Sequence, residues 1–301
     1  MKYFDLQVNG AFGVDFSAPG LTEDDFCRCA ERVLAAGVTR FLPTLITSSW
    51  ELYQRNLPLL AKAISAHGLD YAVPGFHLEG PFISSEPGAV GAHDPSKTRQ
   101  PTPTALRELQ AMAGGRLRLL TLAAELSGAP ETAACAHNLG ITVSLGHQLA
   151  TSAQMAAIHA DALTHLGNGL PNMIHRHHNP IWSGLADDEL TAMIISDGHH
   201  LPAELIRCII RCKGVDKLVV TSDASSVTGL PPGKYHLMGS NDATLHDNGL
   251  LYNDSKQCLV GSASLLPQCA DFLRQKKLLT DEDITKVVWT NPHRLLRMNE
   301  Y

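Results

Sequence analysis

Short apolar runs that end in a polar residue alternate along this chain with longer stretches whose apolar positions recur every three or four residues. The first pattern reads as buried strand and the second as amphipathic helix. Strands are expected over 3–8, 39–45, 71–79, 117–124, 141–147, 162–165, 191–196 and 217–223. Helices are expected over 22–36, 50–67, 102–113, 130–139, 152–160, 202–212, 265–276 and 281–296, with a β-hairpin near 236–258. Thr22 followed by three acidic residues is a helix start, and Gly37 and Gly140 are helix stops. Two stretches, 84–95 and 167–186, read as long loops, and loops of that length in a compact domain usually carry function. Eight strands alternating with helices predict an α/β fold, a (β/α)8 TIM barrel, as a single catalytic domain over 1–301.

In such a barrel the reacting groups sit at the C-terminal ends of the strands. Glu79, His147, His165 and Asp223 all fall there, at the ends of the third, fifth, sixth and eighth expected strands. A buried carboxylate needs a counter-charge or a metal. One carboxylate and two imidazoles give a divalent cation three ligands and leave a position open, as in catalytic rather than structural sites. That arrangement suits activation of water and polarisation of a carbonyl, with Asp223 placed to take a proton and return it to a leaving nitrogen. The chemistry expected from such a set is amide hydrolysis.

Composition narrows the partners. A formal net charge of -6 gives no reason to expect nucleic acid or an anionic membrane, and no apolar run is long enough for a membrane span or signal peptide. A cytoplasmic protein acting on a small molecule is expected. Seven scattered cysteines without a CxxC pair fit reduced thiols, and Cys208 with Cys212 reads as helix packing. Of the fifteen histidines, His175, His177 and His178 read as a solvated loop rather than a second metal site. The segment 261–264 lacks the lysine and context of a phosphate-binding P-loop and reads as a capped helix start.

The order of local motifs is similar to that of the N-acetylglucosamine-6-phosphate deacetylase family of the amidohydrolase superfamily. They are Phe4-Asp5-Leu6-Gln7-Val8-Asn9-Gly10, Leu42-Pro43-Thr44-Leu45-Ile46-Thr47, His77-Leu78-Glu79-Gly80-Pro81, Ser144-Leu145-Gly146-His147, Thr164-His165-Leu166, Asp197-Gly198-His199-His200, Thr221-Ser222-Asp223-Ala224 and Gly261-Ser262-Ala263-Ser264. The resemblance implies metal binding by Glu79, His147 and His165, general base and acid work by Asp223, and substrate contacts from His93, His200, Asn168 and Gly169. It implies deacetylation of N-acetylglucosamine 6-phosphate and a homodimer. Where many amidohydrolases carry a His-x-His pair for a second metal, this chain has Gln7 and Asn9, so one divalent metal ion per chain is expected, zinc first, with iron, manganese and cobalt as alternatives.

Two departures from the family pattern are visible. The chain starts at the first strand and stops soon after the last helix, so the accessory β-sandwich of the family is expected to be absent. At the position of the family's phosphate-binding arginine the chain has His178, with Arg176 two residues away. The competing readings are an amidohydrolase acting on an unphosphorylated N-acetyl sugar or another small amide, and a catalytically silent sugar-binding barrel.

Overall fold

The strands are β1 (Phe4–Val8), β2 (Gly10–Ala11), β3 (Val14–Asp15), β4 (Arg40–Ile46), β5 (Phe76–Glu79), β6 (Leu117–Leu122), β7 (Thr142–Leu145), β8 (Ala162–Leu163), β9 (Thr191–Ile195), β10 (Leu218–Thr221), β11 (Gly233–Leu237), β12 (Asn241–Leu245), β13 (Leu251–Asn253) and β14 (Cys258–Leu259). The helices are α1 (Glu23–Ala35), α2 (Trp50–Ala66), α3 (Pro103–Met112), α4 (Ala129–Asn138), α5 (Ser152–Ala156), α6 (Pro180–Ala186), α7 (Ala203–Lys213), α8 (Leu266–Gln275), α9 (Asp281–Thr285) and α10 (Asn291–Leu295). This computed structural model describes residues 1–237 and 241–300; positions 238–240, inside the expected hairpin, and Tyr301 lie outside the described residues.

Eight parallel strands pair in the order β1-β4-β5-β6-β7-β8-β9-β10. A parallel bridge from Val8 to Ala224 brings the two ends together, and Asn9 N–H donates to Ala224 O at 2.8 Å. The barrel expected from the alternation is therefore present. Its helices form because their apolar positions fall on one face: in α1 Phe26, Cys29, Ala30 and Val33 are buried. Thr22 accepts the N–H of Asp25 and so satisfies an orphan donor of the first turn, a cap worth about 1 kcal/mol.

The barrel interior is layered. At its base Phe4, Leu6, Leu42, Leu119, Met193 and Val219 pack together and are closed off by Trp289 and Leu296. Further along the strands comes a polar layer, in which His77 Nε2 lies 2.8 Å from Thr121 Oγ1, Thr121 Oγ1 2.7 Å from Thr164 Oγ1, and Thr164 Oγ1 2.6 Å from Ser144 Oγ. Each of these polar atoms is buried, and the chain of hydrogen bonds offsets the desolvation each would otherwise suffer. Burial pushes the His77 imidazole down to about 4, so it is neutral.

Several elements differ from the sequence expectation. The third barrel strand starts only at Phe76, because Pro74 has no N–H to give the ladder. The expected loop over 167–186 contains α6, whose first turn is capped by Asn179 accepting from Ile181 and Trp182 N–H, with Pro180 at the first helical position. The single helix expected over 281–296 is α9 and α10 joined by a π-helical turn, Lys286–Thr290. Pro292 cannot donate to the carbonyl four residues back, and Asn291 N–H reaches Lys286 O instead. The expected hairpin is a four-stranded antiparallel sheet, β11-β12-β13-β14, with its own small core of Val227, Leu237, Ala243, Leu245, Leu251 and Val260.

Candidate active site

Glu79 is the last residue of β5, and His147, His165 and Asp223 each lie two residues beyond β7, β8 and β10. The latter three have φ of 50°, 30° and 52°. This left-handed backbone costs a non-glycine residue about 1 to 3 kcal/mol and persists where the surrounding structure imposes it. Its recurrence at three strand ends turns three polar side chains into one mouth.

There the donors converge. His147 Nε2 is 3.2 Å from Glu79 Oε1, 3.1 Å from His165 Nε2 and 3.3 Å from His93 Nε2. His165 Nε2 is 2.8 Å from Glu79 Oε1, and His93 Nε2 is 3.7 Å from Glu79 Oε2. All four side chains are buried. His147 Nδ1 donates to Ala89 O at 2.8 Å, which leaves a lone pair on Nε2 facing the Glu79 carboxylate. A lone pair and a carboxylate so placed repel unless a cation lies between them, so the donor set fits a divalent metal. Glu79, His93 and His147 offer ligand atoms within 4.8 Å of one another, and His165 adjoins two of them. His93 thus stands among the metal-binding donors as well as in the cavity where a substrate contact was expected.

Gly169, with φ of +64°, brings the backbone against the His147 ring: a Cβ there would lie 2.9 Å from Nδ1. Gly169→Ala is therefore expected to displace His147 from its Ala89 bond and weaken metal binding by about 10- to 100-fold, the range for disturbed ligand orientation. Equilibrium dialysis against a competing chelator reads the change, and an unaltered affinity would show that the ring tolerates the intrusion.

Charge is unevenly distributed over these groups. Burial raises the Glu79 carboxyl, but the His147 and His165 imidazoles beside it outweigh that and hold it well below the usual range. Burial pushes His93 down to about 3, with the neighbouring His147 adding to the effect, so His93 is neutral. Asp223 moves the other way, pushed up to about 6 by burial and by the Glu79 charge. His200 Nδ1 lies 2.8 Å from Asp197 Oδ2, and Asp197 Oδ1 accepts the His199 and His200 N–H groups, each at 2.9 Å. Burial opposes the Asp197 charge, but these bonds keep its carboxyl well below its ordinary value.

The mouth opens into a cavity of about 430 Å³ lined by Glu79, His93, His147, His165, His200 and Asp223, with Asn9, Asn168 and Gly169 on its wall. Gln7 lies behind that wall, fully buried. Arg176 and His178 are exposed and do not line it. Their segment is folded outward by a turn in which His177 and His178 N–H donate to His175 Nδ1 and Trp182 Nε1 donates to Arg176 O at 2.8 Å.

No protein-family model matches the chain. N-acetylglucosamine-6-phosphate deacetylase from Bos taurus is 34% identical over 99% of this chain and 74% of its own length, and the Homo sapiens protein of that name gives the same three figures. Among solved structures, a mutant of N-acetyl-D-glucosamine-6-phosphate deacetylase from Mycobacterium smegmatis in complex with N-acetyl-D-glucosamine-6-phosphate superposes with a TM-score of 0.88 at 28% identity, covering 98% of this chain and 77% of that one. The enzyme from Thermotoga maritima gives 0.85 at 26% identity, covering 98% and 78%. The chain belongs to the N-acetylglucosamine-6-phosphate deacetylase family.

The deacetylase family is metal-dependent, and the Glu79 cluster supplies a site able to hold a metal. On this deacetylase barrel, sequence reasoning had overlooked three features of the cavity. Asp15 lines it, with Oδ1 accepting Ser17 N–H at 2.8 Å and burial pushing its carboxyl up to about 6. The signal was the polar residue closing the apolar-flanked segment Gly13-Val14-Asp15-Phe16 just after the first strand. Tyr252, Gln257, Cys258 and Leu259 of the β13–β14 arm form one side, which no local motif announces. The contacts of Gln7 and Asn9 depend on pairing across the closed barrel and have no local signal either.

Proposed function

We propose that this chain hydrolyses the acetamide of N-acetylglucosamine 6-phosphate, releasing acetate and the amino sugar. The observation that carries this reading is the convergence of Glu79, His93, His147 and His165 in a cavity that Asp223 also lines. Glu79, His147 and His165 hold one divalent metal, with zinc the first choice for this nitrogen and oxygen set. A cation held there supplies Lewis acidity for water and for the acetyl carbonyl. Asp223 accepts a proton from the attacking water and returns it to the nitrogen as the C–N bond breaks. Neutral His93 is placed to donate to the carbonyl oxygen as negative charge develops there. His200, oriented by Asp197, and Asn168 with Gly169 meet sugar and phosphate oxygens.

No lysine or arginine lines the cavity among the described residues. A phosphate gains most from a charged, bidentate arginine, so the preference for the phosphorylated sugar is blunted relative to enzymes that have one. A relative from Escherichia coli O157:H7 named N-acetylgalactosamine-6-phosphate deacetylase is 32% identical over 79% of this chain and 62% of its own length, so the galactose epimer belongs in the assay. Metal-loaded protein is tested on both 6-phosphates and on free N-acetylglucosamine, with acetate release measured. Failure on all three sugars sinks the reading.

The Asp223 value fixes the sign of the pH dependence. A base raised to about 6 is protonated and idle below that pH, so kcat/KM climbs as pH rises through the acid limb and then levels. A cation at Glu79 favours the charged carboxylate, so the limb of loaded enzyme lies at or below about pH 6. A pH profile places it, and a limb above neutrality would assign it to another group.

Seven free thiols support a cytoplasmic setting, and no helix among the described residues is long and apolar enough to cross a membrane. Met173, 91% exposed and next in the chain to the cavity residue Asn172, and Trp182, 54% exposed, support a homodimer, which sedimentation tests. One catalytic domain spanning the chain accommodates all of these assignments.

A further inference from the structure

We propose that the side-chain amides of Gln7 and Asn9 take the place of a cation between the carboxylates of Glu79 and Asp223, and thereby fix which oxygen of Asp223 exchanges the proton. The inference rests on the deacetylase reading for the role of Asp223, and on the geometry alone for the rest.

Gln7 Nε2 donates to Glu79 Oε1 and to Asp223 Oδ1, both at 2.9 Å. Asn9 Nδ2 donates to the same Asp223 Oδ1 at 2.7 Å. The β1–β4 ladder shifts register between Asp5 and Val8, an irregularity of the kind that re-aims a side chain. The orientation of both amides is forced. Turning either would point its oxygen at a carboxylate, and in the observed orientation Gln7 Oε1 and Asn9 Oδ1 have no hydrogen-bond partner among the described residues. Buried amides rarely leave an acceptor unpaired. They do so here because the donors are held by two negative groups that would otherwise repel each other.

The consequence for Asp223 is an asymmetry between its oxygens. Oδ1 is occupied by two donors. Oδ2 faces Gly261, where even a Cβ would sit 3.9 Å away, on the cavity side. The proton therefore moves on and off Oδ2, while Oδ1 is locked. A side-chain amide neither titrates nor dissociates in the working pH range, so this lock survives chelation of the metal. Gln7 and Asn9 are positioning residues acting through Asp223.

The test uses the full chain. Gln7→Met keeps the size of the side chain and removes its donors, and Asn9→Ala removes the second pair. In zinc-loaded protein Gln7→Met should lower kcat by about 10- to 100-fold, in the range of lost orienting contacts, with KM within about threefold and one zinc per chain retained. Asn9→Ala should lower kcat about tenfold with the same split. Gln7→Glu, close in shape, sets a third carboxylate at the shared point and should make the protein take up a second equivalent of zinc in equilibrium dialysis with elemental analysis, where the parent takes one. If Gln7→Met does not fold, Asn9→Ala and Gln7→Glu carry the test. Turnover of Gln7→Met or Asn9→Ala within about twofold of the parent, a loss confined to KM or metal content, or a Gln7→Glu protein that binds a single zinc would each overturn the proposal. A parent that cleaves none of the sugars would sink the functional reading alone, because the zinc counts still decide whether the amides stand in for a cation.

Discussion

Metal-loaded Asp223→Asn protein is expected to keep its metal and to lose about 10²- to 10⁴-fold in kcat, the range for a positioned general base. Asparagine can set its carbonyl oxygen where Oδ1 stands and still accept from Gln7 and Asn9, the bonds seen at 2.9 and 2.7 Å. Its amide nitrogen then occupies the place of Oδ2, where it cannot take a proton. Fold, metal site and substrate binding are untouched, so the loss appears in kcat with KM nearly constant. The experiment pairs a steady-state assay with elemental analysis of the same sample, and near-parent turnover would remove Asp223 from the base role.

Glu79→Gln should behave differently. Glu79 is the charged member of the donor set, and the His147 and His165 rings beside it hold its carboxyl well below the usual range. A glutamine there either turns an N–H toward imidazole nitrogens or offers a neutral oxygen, a poor ligand for a hard or borderline cation. Metal affinity is expected to fall at least about 100-fold, with activity falling alongside and partly recovering in excess metal. Competition dialysis and a metal-titrated assay separate the two variants: one has metal without turnover, the other loses both together. Retention of parent affinity by Glu79→Gln would show that the three histidines suffice.

The parts of this protein that were legible in the sequence are those written in one short stretch. Each barrel strand is a few apolar residues followed by a polar one, so Glu79, His147, His165 and Asp223 declared both their strand and their end of it. What escaped depends on the chain meeting itself. Gln7 and Asn9 were noticed only for what they are not, metal ligands, whereas their donors meet Asp223 across a separation of more than two hundred residues. His77 was part of a motif without a task, and only the packed barrel places its ring 2.8 Å from Thr121. The His175 to His178 stretch invited chemistry by its composition, but a local turn and the capped α6 hold it outside the cavity. Helix ends were misjudged where a proline acts on hydrogen bonds several residues away, as Pro292 does at the π turn.

The β11–β14 sheet has a bearing on how such a protein can change. The barrel ladder does not include it, its apolar interior is a separate cluster, and it nonetheless supplies Tyr252, Gln257, Cys258 and Leu259 to the cavity. One cavity is thus walled from two foundations, the strand ends of the barrel and a sheet with its own core. A substitution at Tyr252 or Gln257 changes that side of the cavity without altering any strand of the barrel ladder.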